Sequence, residues 1–221
     1  MNVTPESVKE LLDSDDFGQR LSAVNQMRYL DPAIAYELVK KAVADSNPRV
    51  RYSAVSHLAN VGHQDRDTSL KILRDRLRTD SEADVRAAAA DSIGALQLTE
   101  AYDDLRHLYH NTNEWLVQFS IIAALGELGD VRGFELLQEA LHSDIELVKT
   151  AAIGSLGELG DQRAVSVLLD YVDDDDWQVR YRLVQALGKF ESAEVQSALT
   201  KLANDPLPQV AQEAKAHLKP A

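Results

Sequence analysis

The hexapeptide Leu125-Gly126-Glu127-Leu128-Gly129-Asp130 returns 31 residues later as Leu156-Gly157-Glu158-Leu159-Gly160-Asp161. The valine ahead of each copy belongs to a longer series. Val50, Val85, Val117, Val148, Val179 and Val210 are separated by 35, 32, 31, 31 and 31 residues. A weaker first member, Gln19 to Val24, precedes Val50 to Val55 by the same 31-residue step. A unit of about 30 to 45 residues holding two helices cannot bury its apolar face alone, and stacking such units gives an α-solenoid. The repeat therefore predicts an all-α chain, a right-handed superhelix of about seven helix pairs. It forms a single repeat domain over residues 1–221, with units at 1–31, 32–64, 65–98, 99–129, 130–160, 161–191 and 192–221.

Composition narrows the chemistry. With no cysteine, there is no disulfide framework, no thiolate nucleophile and no Cys-based metal or iron–sulfur ligation. A net charge of −13 opposes sequence-independent nucleic-acid binding and attraction to an anionic membrane surface. The opening stretch, Met1 to Glu6, lacks a basic region followed by an apolar run. No apolar stretch approaches the roughly 20 residues needed to span a bilayer. A cytoplasmic protein is expected.

Each unit reads as helix A, a short turn and helix B. Asp45, Asp80, Asp144, Asp175 and Asp205 stand in the turn, where a carboxylate caps the free N–H groups of helix B. Pro48 and Pro208 fit its first turn. Gly129 and Gly160 are expected to end helices, with Asp130 and Asp161 capping the next helix A. The first unit begins with a short helix, roughly Pro5 to Asp13, and the polar end Lys215 to Pro220 closes the last.

Numbering helix B from the repeat valine as zero, positions 0, +4, +8 and +11 form one apolar stripe, as in Val148, Ala152, Leu156 and Leu159. Positions +3 and +7 are mostly Ala or Ser, small enough for neighbouring units to approach; His57 and Arg182 are exceptions. Positions +2, +6 and +9 fall opposite the stripe. Position +9 carries Gly94, Gly126, Gly157 and Gly188, a shallow floor from which the +2 residues Tyr52, Phe119 and Tyr181 rise. Large aromatics on a wet inner face suggest a partner-binding surface, although the same rings could fold over adjacent helices.

Arg51, Arg86, Lys149 and Arg180 occupy position +1, with Gln118 in the fourth unit. They are expected to reach the turn aspartates of their own or a neighbouring unit, with a ligand carboxylate as the alternative. Trp115 and Trp177, two residues before a repeat valine, either serve as contact anchors or pack on the adjacent turn. Asp173 to Asp176 reads as a solvated capping turn, since it lacks the spacing and glycine of a calcium loop. The six histidines are scattered, with no H-E-x-x-H pattern, and no metal site is expected. No catalytic constellation is legible.

The combination of Val50-Arg51-Tyr52, Ala124-Leu125-Gly126-Glu127-Leu128-Gly129-Asp130 and Asp176-Trp177-Gln178-Val179-Arg180 resembles the HEAT-like repeats of phycobilin lyases along essentially the whole chain. The N-terminal Val3 to Val8 and the run Glu114 to Gly126 are similar to phycobilisome-degradation proteins related to those lyases. The resemblance implies action on phycobilisome subunits, phycocyanin or allophycocyanin, together with degradation adaptors, and detachment or binding of a bilin under nutrient stress. It implies no intrinsic cofactor, a phycocyanobilin ligand, and no assignable catalytic residues. The candidate ligand or partner contacts are Tyr52, His57, Phe119 and Tyr181, with Arg51, Arg180 and Arg182 as cations for the pigment's propionates. A non-enzymatic scaffold, resembling a HEAT-like partner of iron–sulfur assembly proteins, is the alternative.

Overall fold

The computed structural model describes residues 3–218. Among these residues it forms fourteen α-helices in seven successive pairs, and no strand. The pairs are α1 (Pro5–Leu12) with α2 (Phe17–Gln26), α3 (Pro32–Ala42) with α4 (Pro48–Val61), α5 (Arg66–Thr79) with α6 (Ala83–Ala95), and α7 (Tyr102–Asn111) with α8 (Trp115–Leu128). They continue as α9 (Gly133–Ala140) with α10 (Glu146–Leu159), α11 (Arg163–Leu168) with α12 (Trp177–Leu187), and α13 (Ala193–Leu202) with α14 (Pro208–His217). Every pair falls inside the unit boundaries read from the repeat. The polar C-terminal stretch is described as far as Leu218; Lys219 and Pro220 lie outside the described residues.

Contacts gather the chain into two compact units, Met1–Ala124 and Leu125–Ala221, with the division inside α8. In the first, Val50, Ala54 and Leu58 of α4 and Val117 and Ile121 of α8 are fully buried. In the second, Val148, Ala152 and Leu156 of α10 and Val179, Leu183 and Leu187 of α12 are fully buried. The larger of these side chains contribute about 1.5–3 kcal/mol each by leaving water. Position +5, outside the expected stripe, is buried as well: Val55, Ala90, Ile122, Ile153 and Val184. A B helix is flanked by other B helices as well as by its own A helix, so its buried arc is wider than that of a two-helix contact.

That wider arc corrects the expectation for position +9. Gly94, Gly126 and Gly157 are buried crossing points, not an open floor. A Cβ on Gly94 would lie 2.8 Å from the Ala124 Cα, and one on Gly126 would lie 2.8 Å from the Ser155 Cα. At Gly157 the distance to the Ala186 Cα is 2.6 Å. Each glycine thus receives the small +7 residue of the next B helix, and the neighbour's backbone occupies the space a side chain would need. Gly129 and Gly160, both at φ +68°, adopt the left-handed conformation expected at helix ends.

Asp45, Asp80 and Asp205 sit two residues farther out than capping requires. Asn47 caps α4 and Asp176 caps α12. Asp45, Asp80 and Asp205 instead accept the N–H of the residue two positions on, at 2.8, 3.1 and 2.8 Å. Asp144 and Asp175 are exposed. Their expected place is taken by Ser143, bonded to the Ile145 N–H, and by Asp174, bonded to the Asp176 N–H. The aspartates' second role, as partners for arginine, explains the displacement.

Candidate functional site

Arginines at position +1 link successive turns. Arg20 grips Asp45 through two hydrogen bonds of 2.7 and 2.9 Å and also donates to the Ser14 and Asp15 carbonyls. Arg51 repeats this on Asp80, at 2.8 Å for both bonds, and on the Asp45 and Ser46 carbonyls. Arg180 does so on Asp205 and on the Asp174 and Asp175 carbonyls. Burial would raise the Asp45 and Asp80 carboxyls, but the arginine and backbone N–H groups outweigh it and hold both below the usual range. At Asp205 the Arg180 guanidinium is the main cause of the same depression. Two of the candidate ligand cations, Arg51 and Arg180, are therefore engaged in the expected structural ladder. Arg86 breaks the series. The next unit carries Thr112 in place of aspartate, and the Arg86 Nε is buried with no hydrogen-bond partner among the described residues.

The remaining candidates separate by unit. In the first, Tyr52 of α4 is 48% exposed and forms one wall of a groove of about 270 Å3. Ala87, Ala88 and Asp91 of α6 supply its floor, with Leu116 and Ser120 of α8 opposite and Asp84 at its edge. The small side chains of α6 keep the floor low. Burial among the helices pushes the Asp91 carboxyl above the usual range, and the Ser120 hydroxyl only partly opposes this. The side chain nevertheless remains accessible. An accessible carboxyl whose proton is held more tightly than usual is a candidate hydrogen-bonding and proton-exchanging group. Phe119 is half-buried.

His57, also in the first unit, occupies the +7 place that α6, α8, α10 and α12 give to Ala or Ser. It lines a separate pocket of about 570 Å3 formed by α2, the α2–α3 connection, α3 and α4. Its Nε2 is buried and has no hydrogen-bond partner among the described residues. Burial and then the nearby Arg28 charge hold its imidazole below the usual pKa.

In the second unit Tyr181 is half-buried, with its hydroxyl 3.5 Å from the Glu213 carboxylate of α14. Arg182 is exposed, donates to Gln185 and lays its aliphatic stem across Gly154. Trp115 and Trp177 open α8 and α12 and are 48% and 40% exposed. Asp173 to Asp176 behave as a capping turn, with Asp176 receiving the Gln178 N–H and Asp173 pairing with Lys201. Among the described residues no three His, Asp or Glu side chains converge to hold a metal, and no helix is long and apolar enough to cross a membrane.

Asp91 is the residue that sequence reading passed over. It sits at position +6, on the face already marked by Tyr52, but the burial that shifts its carboxyl comes from helices distant in sequence.

A family model described as HEAT repeats matches residues 4–94, 70–156 and 146–219. Curated proteins give no significant match to the sequence. Among solved structures, the complex of CpcE and CpcF of phycocyanin lyase from Nostoc sp. PCC7120 is similar, with a TM-score of 0.65 and 21% identity over 99% of this chain and 96% of that one. YibA of Escherichia coli gives a TM-score of 0.65 at 15% identity, over 99% and 88% of the two chains. The archaeal HEAT-like repeats protein from Thermococcus onnurineus NA1 gives 0.59 at 16% identity, over 98% and 96%. At these identities the likeness concerns the fold.

Proposed function

The chain belongs to the HEAT repeat family, and on that premise we propose that it is a helical-repeat binding protein acting on bilin-bearing antenna proteins, as NblB-type phycobilisome degradation proteins do. The observation that carries this reading is the groove of the first unit, where an exposed Tyr52 ring stands over Ala87 and Ala88 beside the accessible carboxyl of Asp91. An open-chain tetrapyrrole such as phycocyanobilin offers a conjugated plane and pyrrole N–H donors. The plane would lie against the Tyr52 ring, and the N–H groups would meet Asp91 and Asp84. At about 270 Å3 the groove falls just below the ~300–1,000 Å3 of sites that enclose a whole ligand. It would grip one edge of the pigment while the antenna subunit holds the rest. With Arg51 committed to Asp80 and Arg180 to Asp205, neither of these arginines is free to meet a propionate. Asp91 would give or take a proton at the pigment if detachment is catalysed.

The test is capture from a cyanobacterial lysate with the full-length chain as bait. Phycocyanin or allophycocyanin subunits and blue colour in the eluate are expected, and both should fall sharply with Tyr52→Ala. A colourless eluate without antenna subunits would contradict the proposal. Exposed Trp115, Leu147 and Trp177 favour a second reading, a protein scaffold without pigment; capture of an iron–sulfur assembly protein in place of antenna would support it.

A further inference from the structure

The pocket around His57 is separate from the Tyr52 groove, and its lining differs in character. Val24 and Met27, Leu30, Ala35 and Val61 supply apolar walls. The polar atoms come from Asn25, Arg28, Ser53, Ser56, His57 and Asn60, with no carboxylate among the lining residues. In a chain of net charge −13, a pocket whose only charged lining residue is an arginine is selective for anions. Arg28 donates its Nε to the Asn25 carbonyl at 2.9 Å and stacks on Tyr29, which holds the guanidinium in place without neutralising it. No carboxylate pairs with it among the described residues.

His57 is the second observation. The equivalent position is Ser92, Ala124, Ser155 or Ala186 in the central units; the last three pack on a glycine of the preceding B helix, but the residue of that preceding place is Arg28 for His57. The histidine leaves its Nε2 buried without a hydrogen-bond partner among the described residues. An unmade hydrogen bond at a buried polar atom costs stability unless something else completes it. Burial and then the Arg28 charge disfavour the protonated ring, and the buried Nε2 offers one directional hydrogen bond beside that positive charge.

We propose that this pocket binds a small organic carboxylate with an apolar body. The carboxylate is held by Arg28 and the His57 Nε2–H, the Asn25 and Asn60 side chains stand at the rim, and the apolar part lies on Met27, Leu30 and Val61. The volume of about 570 Å3 lies within the ~300–1,000 Å3 of ligand sites. The proposal does not depend on the antenna reading, since it uses none of the Tyr52–Asp91 groove.

The probe is 4-phenylbutyrate, with 4-phenylbutanol as its uncharged analogue, titrated into the full-length chain carrying 15N-labelled histidine. Saturable shifts of the His57 ring resonances are expected with the acid, together with binding about tenfold weaker for the alcohol. His57→Ser installs the residue that Ser92 and Ser155 already tolerate at this position, and Arg28→Gln alters an exposed side chain. Each should weaken the acid about tenfold while leaving the helical circular dichroism unchanged. Absence of any His57 shift at millimolar acid would overturn the proposal. So would equal binding of the alcohol, or wild-type affinity in Arg28→Gln.

Discussion

Arg51 and Asp80 form the best-enclosed ion pair of the ladder, with side chains 13% and 1% exposed. Removing one partner of such a pair leaves the other's charge buried and uncompensated. Asp80→Asn should therefore lower stability by about 2–4 kcal/mol, measured by urea unfolding at pH 7. The pH dependence follows from the depressed carboxyls. Asp45, Asp80 and Asp205 have folded-state pKa values below their unfolded ones. Their contribution is present above about pH 4 and is lost as pH falls through the folded values, so Asp80→Asn should unfold with a shallower acid limb. Asp91 has the opposite sign. Its folded pKa is raised, so its contribution is present below about pH 4 and is lost as pH rises through the folded value. Asp91→Asn should be at least as stable as the wild type at pH 7, with the difference closing toward pH 4; a lower melting temperature at pH 7 would count against this assignment. At the gap in the ladder, Thr112 already accepts the Glu114 N–H, as the aspartates do for their own turns. Thr112→Asp should keep that bond and give Arg86 a partner, raising stability by about 1 kcal/mol.

At the scale of the helix, two glycines of α10 respond to alanine in opposite directions. A Cβ on Gly157 meets the Ala186 backbone at 2.6 Å, whereas one on Gly154 meets only the flexible Arg182 stem at 3.3 Å. Alanine is favoured over glycine within a helix by about 1 kcal/mol, and overpacking costs about 1–3 kcal/mol. Gly154→Ala should gain up to about 1 kcal/mol, and Gly157→Ala should lose about 1–2 kcal/mol; thermal unfolding of the pair checks both. The repeat spacing was enough to place all seven helix pairs, because a 31-residue step and a 3.6-residue stripe are local signals. It was not enough to assign Gly94, Gly126 and Gly157, since the angular position that faces away from helix A can still face the next B helix. The same limit applied to the candidate site. Tyr52 was legible as an exposed aromatic on a small-residue face. Asp91 was not, because its raised pKa arises from surrounding helices, and the His57 pocket was not, because it is assembled from four segments.

For the molecule as a whole, the division of labour is between ladder and groove. Arg20, Arg51 and Arg180 are consumed in joining turns; under the proposed function, recognition would then fall to Tyr52 and to the small residues and carboxyls of the first unit's groove. Tyr181, with its hydroxyl toward Glu213, joins helices as much as it offers a surface. Tyr181→Ala is therefore expected to lower stability by about 1 kcal/mol in thermal unfolding. The central claim is that the Tyr52–Asp91 groove is where a bilin-bearing partner is read. Its most direct measurement is the affinity of the purified chain for chromophorylated phycocyanin, compared between wild type and the Tyr52→Ala/Asp91→Asn double variant. The account predicts at least about tenfold weaker binding by the variant, the loss of a contact worth about 1–3 kcal/mol, with an unchanged circular dichroism spectrum. Equal affinities for the two proteins would contradict it.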